Sequence, residues 1–356
     1  MRRHRLCYIT RNYRNLEGAG NKAKTDNEDT LVELSATNLG LRRTFYAGKV
    51  TTFFLDLAGV VKYVFSVRRG DVILLQYPVK KYFSFLCNVA HWQGAKTAAL
   101  IHDLGSFRRK KLTVEKEISR LMHADYVIAS NDEMKRWLQE HGYQHPLGSL
   151  GLFDYRSDAE NRHCGGGPAA SCLRLVYAGA LAMRKNAFLL QLAQKELPYE
   201  LHIYGNRDGL PAMEDNKRIV FHPFTPADDF IANVDADFGF VWDGDSLDSC
   251  TGNFGEYLRW NSPHKVSFYL RAGLPVIIWK HAAVAPIIER EGIGLTIESI
   301  DELLTLLPSI SEKQMTAMRR NVGRVGQQLK RGGFLKQALH QIETEMDEYD
   351  KTVDIP

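Results

Sequence analysis

Cysteine is scarce in this chain. Cys7, Cys87, Cys164, Cys172 and Cys250 are odd in number and form no Cys-x-x-Cys pair, which excludes a disulfide framework and a zinc ribbon. Long apolar runs are missing as well: no stretch reaches the ~18 residues of a membrane span. The start, Met1-Arg2-Arg3-His4-Arg5, is basic, but the apolar run behind it breaks at Arg11-Asn12, too soon for a secretory leader, so the chain is expected to stay in the cytosol. Charge of one sign is also lacking. A net +4 over 356 residues, with no nucleic-acid motif, argues against a dedicated nucleic-acid binder. Neither a Walker lysine motif nor a complete Gly-x-Gly-x-x-Gly fingerprint is present, which counts against ATPase and dehydrogenase readings.

What the chain does have is alternation, with 44% hydrophobic residues and mass enough for two cores. Buried-strand runs at residues 6–10, 72–75, 97–101 and 126–129 alternate with segments of helical period at 21–38, 52–67, 82–92, 113–123 and 132–141. The pattern restarts with strands at 173–177, 200–204, 238–242, 275–279 and 294–297 and helices near 185–195, 226–233, 263–271 and 284–291. Such alternation predicts α/β architecture with two Rossmann-like doubly wound domains. The expected bounds are 1–155 for an acceptor-side domain, 156–171 for a Gly-rich linker and 172–325 for a donor-binding domain. A C-terminal helix over 326–356 is expected to cross back to the first domain. In this architecture ligands bind where the carboxyl ends of the strands face a cleft.

The most informative stretch is Asn261-Ser262-Pro263-His264-Lys265, followed by Val266 to Arg271 and the strand Pro275-Val276-Ile277. Ser262 suits a helix cap, Pro263 a first turn, and Lys265 lies one turn into the positive end of the helix dipole, a placement that receives a diphosphate. An ordinary capped helix with a solvated lysine is the plainer alternative. After a strand come Gly179 to Asn186, where Arg184 or Lys185 can neutralise a leaving diphosphate, and Tyr204-Gly205, where the glycine lets backbone reach a nucleobase edge. In the first half, Gly18 and Gly20 allow close backbone approach, with Asn21, Lys22 and Asp26 as hydroxyl or phosphate partners. His102 and Asp103, at a strand end, are candidates for the general base, although an aspartate there also caps turns.

Two further patterns carry competing readings. Asp243-Gly244-Asp245 is an Asp-x-Asp triplet of the kind that holds Mn²⁺ or Mg²⁺ on a diphosphate; with Arg184, Lys265 and a helix start nearby, metal independence is favoured, and Asp243 is expected to meet a sugar hydroxyl or shape its loop. Lys80-Lys81-Tyr82-Phe83 and Phe107-Arg108-Arg109-Lys110-Lys111 mix cations with aromatics, which suits an anionic membrane surface or acceptor, or simply a solvated basic face. The loop 252–261, rich in glycine, aromatics and amides, suits sugar recognition or packing.

Gly18-Ala19-Gly20-Asn21-Lys22-Ala23-Lys24-Thr25-Asp26, His102-Asp103-Leu104, and Asn261 to Lys265 with Ala272 to Ile277 together resemble the bacterial glucosyltransferase 3-like and β-1,6-galactofuranosyltransferase family. The resemblance implies a GT-B fold, a UDP-sugar donor, no metal, and a homo-oligomer. It implies Arg184 and Lys265 on the diphosphate, Tyr204 and Gly205 near the uracil, and Asn261, His264 and Ser267 with the nucleotide. It also implies the glycine loop facing a sugar. The leading expectation is metal-independent, inverting transfer of glucose or galactofuranose from UDP to a glycan, glycolipid or glycoprotein hydroxyl, with Lys265 and one of His102 or Asp103 catalytic. A UDP-sugar epimerase and a non-catalytic partner subunit are the alternatives.

Overall fold

Runs such as Leu6 to Tyr8 and Val72 to Leu75 are apolar on both faces, and such strands are stable only inside a parallel sheet with helices on both sides. The structure, a computed structural model, describes residues 4–13, 19–79, 82–108, 112–163 and 172–353. Two compact units form: Met1–Asp154 with Gly332–Pro356, and Tyr155–Arg331.

The first unit runs β1 (Arg5–Tyr8), α1 (Ala19–Glu33), β2 (Thr37–Asn38), α2 (Lys49–Ser66), β3 (Asp71–Tyr77), α3 (Phe83–Trp92), β4 (Lys96–Ile101), α4 (Gly105–Arg108), α5 (Val114–Leu121), β5 (Tyr126–Ala129), α6 (Asp132–Glu140) and β6 (Leu147–Ser149). Its parallel sheet has the order β2-β1-β3-β4-β5-β6 and so reverses between β1 and β3. Local sequence explains several starts: Thr113 and Asn131 accept the amides of Lys116 and Met134 at the heads of α5 and α6. The helix expected over 21–38 stops at Glu33. Ser35 takes a left-handed φ of 58°, and Thr37 and Asn38 pair with Cys7 and Tyr8 instead.

The second unit runs β7 (Arg174–Ala178), α7 (Met183–Asn186), α8 (Phe188–Ala193), β8 (Glu200–Tyr204), β9 (Ile219–His222), α9 (Ala227–Asn233), β10 (Phe238–Val241), α10 (Gly252–Gly255), α11 (His264–Arg271), β11 (Val276–Trp279), α12 (Ala285–Glu291), β12 (Gly294–Ile297), α13 (Leu303–Ser309) and α14 (Glu312–Lys330). Its strands lie parallel in the order β9-β8-β7-β10-β11-β12, the arrangement of a dinucleotide-binding sheet. The single helix expected over 185–195 is split. Phe188 N donates to Gly244 O at 3.1 Å and Gly244 N to Lys185 O at 2.7 Å, which ties the break to the loop after β10.

Residues 156–163, read from the sequence as linker, are fastened within the second unit. Buried Arg271 donates to the carbonyls of Ser157 and Ala159 at 2.9 and 2.8 Å, and Asn161 Nδ2 to those of Val234 and Ala272 at 3.0 and 2.8 Å. The rest of that stretch, 164–171, lies outside the described residues.

The last helix, α15 (Gly333–Val353), begins later than 326 because α14 continues to Lys330. Leu335, Ala338, Leu339 and Ile342 are buried with Leu74, Leu100 and Ile128 in the first unit's core. Asp154 holds its start: the amides of Phe334 and Leu335 donate to the two carboxylate oxygens at 3.1 and 2.8 Å. Burial pushes this carboxyl up to about 7 despite those bonds. Its folded value lies above the unfolded one, so the contribution to stability is fullest in acid, below the unfolded pKa, and is lost as pH rises to about 7. Asp154→Ala orphans two amides and is expected to cost about 1–3 kcal/mol. Asp154→Asn keeps an acceptor and is expected to cost less at neutral pH and to flatten this part of the pH profile. Urea melts of both variants between pH 5 and 8 check the order.

Candidate functional site

In the second unit, strand order reverses between β7 and β10, and loops at such a reversal are where α/β sheets take ligands. Glycines let those loops close up. A Cβ at Gly205 would lie 2.3 Å from the Gly179 carbonyl oxygen, and one at Gly179 would lie 3.2 Å from Lys265 Cε. The turns after β7 and β8 therefore press on each other and on the Lys265 stem.

Asp243, just beyond β10, is the centre of a charged cluster. The Tyr177 hydroxyl donates to its Oδ1 at 3.0 Å, Lys265 Nζ lies 3.7 Å from Oδ1, and Lys185 Nζ lies 3.5 Å from Oδ2. Asn186 fixes the tyrosine, donating to its hydroxyl oxygen at 2.5 Å while accepting the Ala182 amide at 3.0 Å. Lys265 Nζ also sits over the Tyr177 ring, 3.6 Å from the centroid. That ammonium nitrogen is buried and has no hydrogen-bond acceptor among the described residues. Burial first, and then the neighbouring Lys185, push Lys265 down to about 7, with Asp243 pulling the other way. Two ammonium groups against one carboxylate leave net positive charge when both are protonated, so an incoming dianion restores Lys265 to its charged form.

Around this centre the expected residues divide. Arg184 is exposed on α7, its guanidinium 5.2 Å from the Phe254 ring centroid, beside the glycine-rich loop. Asn261 Oδ1 is buried with no hydrogen-bond partner among the described residues, while the Asn261 backbone N–H donates to Tyr257 O at 3.1 Å. Ser262 does not cap α11: Pro263 occupies the cap position, no side chain caps the start, and the helix begins at His264. The His264 ring packs 4.9 Å from that of Tyr155, and Ser267 is buried on α11. Tyr204 is stacked on His222 at 4.3 Å and meets Phe230 edge to face at 5.0 Å. Asp243, expected to meet a sugar hydroxyl or shape its loop, has two lysines as neighbours, and Asp245 accepts from the Thr251 hydroxyl. Tyr177 escaped the sequence reading, and Gly179 and Asn186 were named in it only as the ends of a loop. Tyr177 looks like any strand-end aromatic, and its contacts come from distant segments.

In the first unit, His102 follows β4, stacks on Phe153 at 4.8 Å and places Nε2 2.9 Å from Gln76 Oε1. Gln76 Nε2 donates to Lys24 O at 3.0 Å, which orients the amide so that Oε1 accepts; His102 is thus assigned Nε2–H, with Nδ1 as its basic nitrogen. Asp103, next in line, is half-buried. Gly18 lies outside the described residues. Gly20 sits in α1 with open space where a Cβ would go, so no close approach requires it. Lys22 pairs with Asp26 at 2.5 and 2.7 Å along one helix face. The sequence reading also missed Glu28, which accepts from Tyr13 at 2.5 Å and is pushed up to about 7 by burial. Of the basic aromatic clusters, residues 80–81 and 109–111 lie outside the described residues. Phe83 is buried beside Tyr77, and half-buried Phe107 packs on Trp137 at 4.7 Å.

Two parallel α/β sheets, one with a cationic cluster at its switch point, define a GT-B protein. The family described as Glucosyltransferase 3-like matches with its N-terminal domain over residues 6–152 and its C-terminal domain over 175–342, and the chain belongs to that glycosyltransferase family. It is 27% identical to the β-1,6-galactofuranosyltransferase WbbI of Escherichia coli K12 over 91% of this chain and 94% of the relative. It is 22% identical to glucosyltransferase 3 of Streptococcus parasanguinis over 93% and 96%. Among solved structures, the lipopolysaccharide outer core galactosyltransferase WaaB in its apo form superposes with a TM-score of 0.58 at 13% identity, covering 95% of this chain and 99% of that one. Anabaena HepE in complex with UDP gives a TM-score of 0.56 at 16% identity, covering 96% of this chain and 100% of that one.

Proposed function

We propose that this protein transfers a hexosyl unit, glucose or galactofuranose, from UDP to a hydroxyl of a glycan, glycolipid or glycoprotein. The observation that carries the reading is the buried Lys265 ammonium, paired with Lys185 around Asp243 at the switch point. The diphosphate is taken by Lys265, Lys185 and Arg184 with the start of α11, and Asn261 Oδ1 accepts from the nucleotide. An acceptor oxygen attacks the anomeric carbon as the bond to the β-phosphate oxygen breaks; its proton passes to His102 Nδ1 or Asp103, and UDP leaves with its charge met by the lysines. The configuration inverts in such a single displacement. Asp243 already has two ammonium neighbours, which supports a role for lysine rather than a divalent ion on the diphosphate. EDTA is therefore expected to leave transfer intact; loss with EDTA and recovery with Mn²⁺ overturns this part.

The donor site has a pH signature. Free Lys265 loses its proton near pH 7, and a bound diphosphate raises that value, so affinity for a UDP-hexose is expected to fall up to about tenfold per pH unit above neutrality. The diphosphate diester of the donor does not itself titrate in this range. Calorimetry at pH 6.5 to 8.5 in two buffers of different ionisation enthalpy reads both the affinity and the proton taken up. A pH-independent affinity with no proton uptake defeats the assignment.

A further inference from the structure

The helix α2, Lys49–Ser66, has 18 residues and two unlike sides. Thr52, Gly59, Val60 and Tyr63 are buried, and the Tyr63 hydroxyl donates to Leu86 O at 2.9 Å while Asn12 Nδ2 donates to Thr52 Oγ1 at 2.8 Å, so the inner side is fixed to the first unit. The outer side carries Val50, Phe53, Phe54, Leu57, Val61 and Phe65, all exposed, Phe65 by 85% and Val50 by 70%. At ~100° per residue these six positions fall on one third of the helix circumference. A soluble unit does not gain by holding three phenylalanines on one stripe in water. Trp92, at the end of α3, is 78% exposed and close to the Phe65 end, where Gln93 Nε2 donates to Val64 O at 2.6 Å.

Charge decides what covers this face. Arg42, Lys49, Lys62, Arg68 and Arg69 are all exposed along and beyond the ends of α2, while the only acid between residues 42 and 70 is Asp56, which lines a cavity on the inner side with Val60 and Tyr82. A second copy docking by the same face would set the cations of residues 42–70 against their own copies, with no acid of that segment on the outer side to answer them. An apolar stripe about 22 Å long with a cationic border fits instead a helix lying flat in the interface of a bilayer. No helix among the described residues is long and apolar enough to cross one.

We infer that the outer face of α2 docks the protein on an anionic lipid bilayer, with the phenylalanines in the acyl boundary and the cations on lipid phosphates. The inference stands apart from the donor-site reading, since it uses none of those residues. It also moves the membrane contact away from the two basic aromatic clusters singled out in the sequence.

Flotation of the full chain with vesicles of phosphatidylcholine alone, and of phosphatidylcholine with about a third phosphatidylglycerol, tests it. Wild type is expected to float with the anionic vesicles, weakly with the neutral ones, and less at high salt. Phe54→Glu with Phe65→Glu is expected to reduce binding at least tenfold, and Arg68→Glu with Arg69→Glu to remove the preference for anionic lipid. Both double variants alter exposed side chains, and unchanged thermal unfolding confirms that they fold. Failure of the wild type to float, or undiminished flotation of the phenylalanine variant, overturns the inference. So does light scattering that shows an oligomer which that variant dissolves, with no vesicle binding by either protein.

Discussion

Replacing Lys265 with methionine is expected to lower kcat/KM for hexosyl transfer by about 10²- to 10³-fold, the usual effect of removing one preorganised group from the charge that develops on a leaving anion. The fold should not suffer. The ammonium is buried and pushed down to about 7, below its unfolded value, so at acidic and neutral pH the charged lysine opposes folding, and that penalty fades as pH rises toward the unfolded pKa. Methionine fills similar space without a charge, and Asp243 keeps Lys185 at 3.5 Å. Melting at pH 6.5 should therefore be unchanged or raised. A second variant separates two explanations of the kinetic loss. If Lys265 acts only by cancelling the negative charge of Asp243, Asp243→Asn added to Lys265→Met restores turnover; if it meets the diphosphate itself, the double variant stays within a few-fold of the single. The second result is expected, and near-wild-type turnover in the single variant removes Lys265 from the reaction.

How much of this was legible in the sequence follows from the range of the forces involved. Strands 126–129, 200–204 and 294–297 could be placed to the residue: the first is apolar and buried on both faces, and the other two are short β-favouring runs. Lys265 was legible because a helix start is a local feature. Its chemistry was not: Tyr177 comes from β7, Lys185 from α7 and Asp243 from the loop after β10, and only the fold brings them within 4 Å of the ammonium or of its counter-ion. The Asp-x-Asp spacing shows two acids but not which cations reach them, so the two lysines on Asp243 could not be read from it. Ser262 failed for a smaller reason, since Pro263 can serve as the cap residue itself and moves the helix start by one. The apolar period of α2 identified a helix, but period alone cannot say which side faces the sheet; its outer stripe is visible only once Thr52, Gly59 and Tyr63 are seen to point inward.

Gly205→Ala is expected to cost about 2–5 kcal/mol and, in the protein that still folds, to weaken UDP-hexose binding well beyond the loss from any nearby surface change. Gly205 has a φ of 155°, and an added Cβ would lie 2.3 Å from the Gly179 carbonyl oxygen, closer than real Cβ atoms approach backbone oxygen. Neither side of this contact is a flexible side-chain end, so one turn has to retreat. Gly179 is the neighbour on which Lys265 Cε rests, and a displaced turn after β7 therefore shifts the ammonium relative to Asp243 and Tyr177. The stability cost and the binding cost thus have one origin, and they should appear together in urea melts and in thermal protection by UDP-hexose. Gly20→Ala is the contrast: with open space around its Cβ and helical backbone, it is expected to be neutral or stabilising by up to about 1 kcal/mol, with donor binding unchanged. If both alanines behave alike, the two turns of the second unit are not held in register by contact, and the positioning of Lys265 must come from α11 alone.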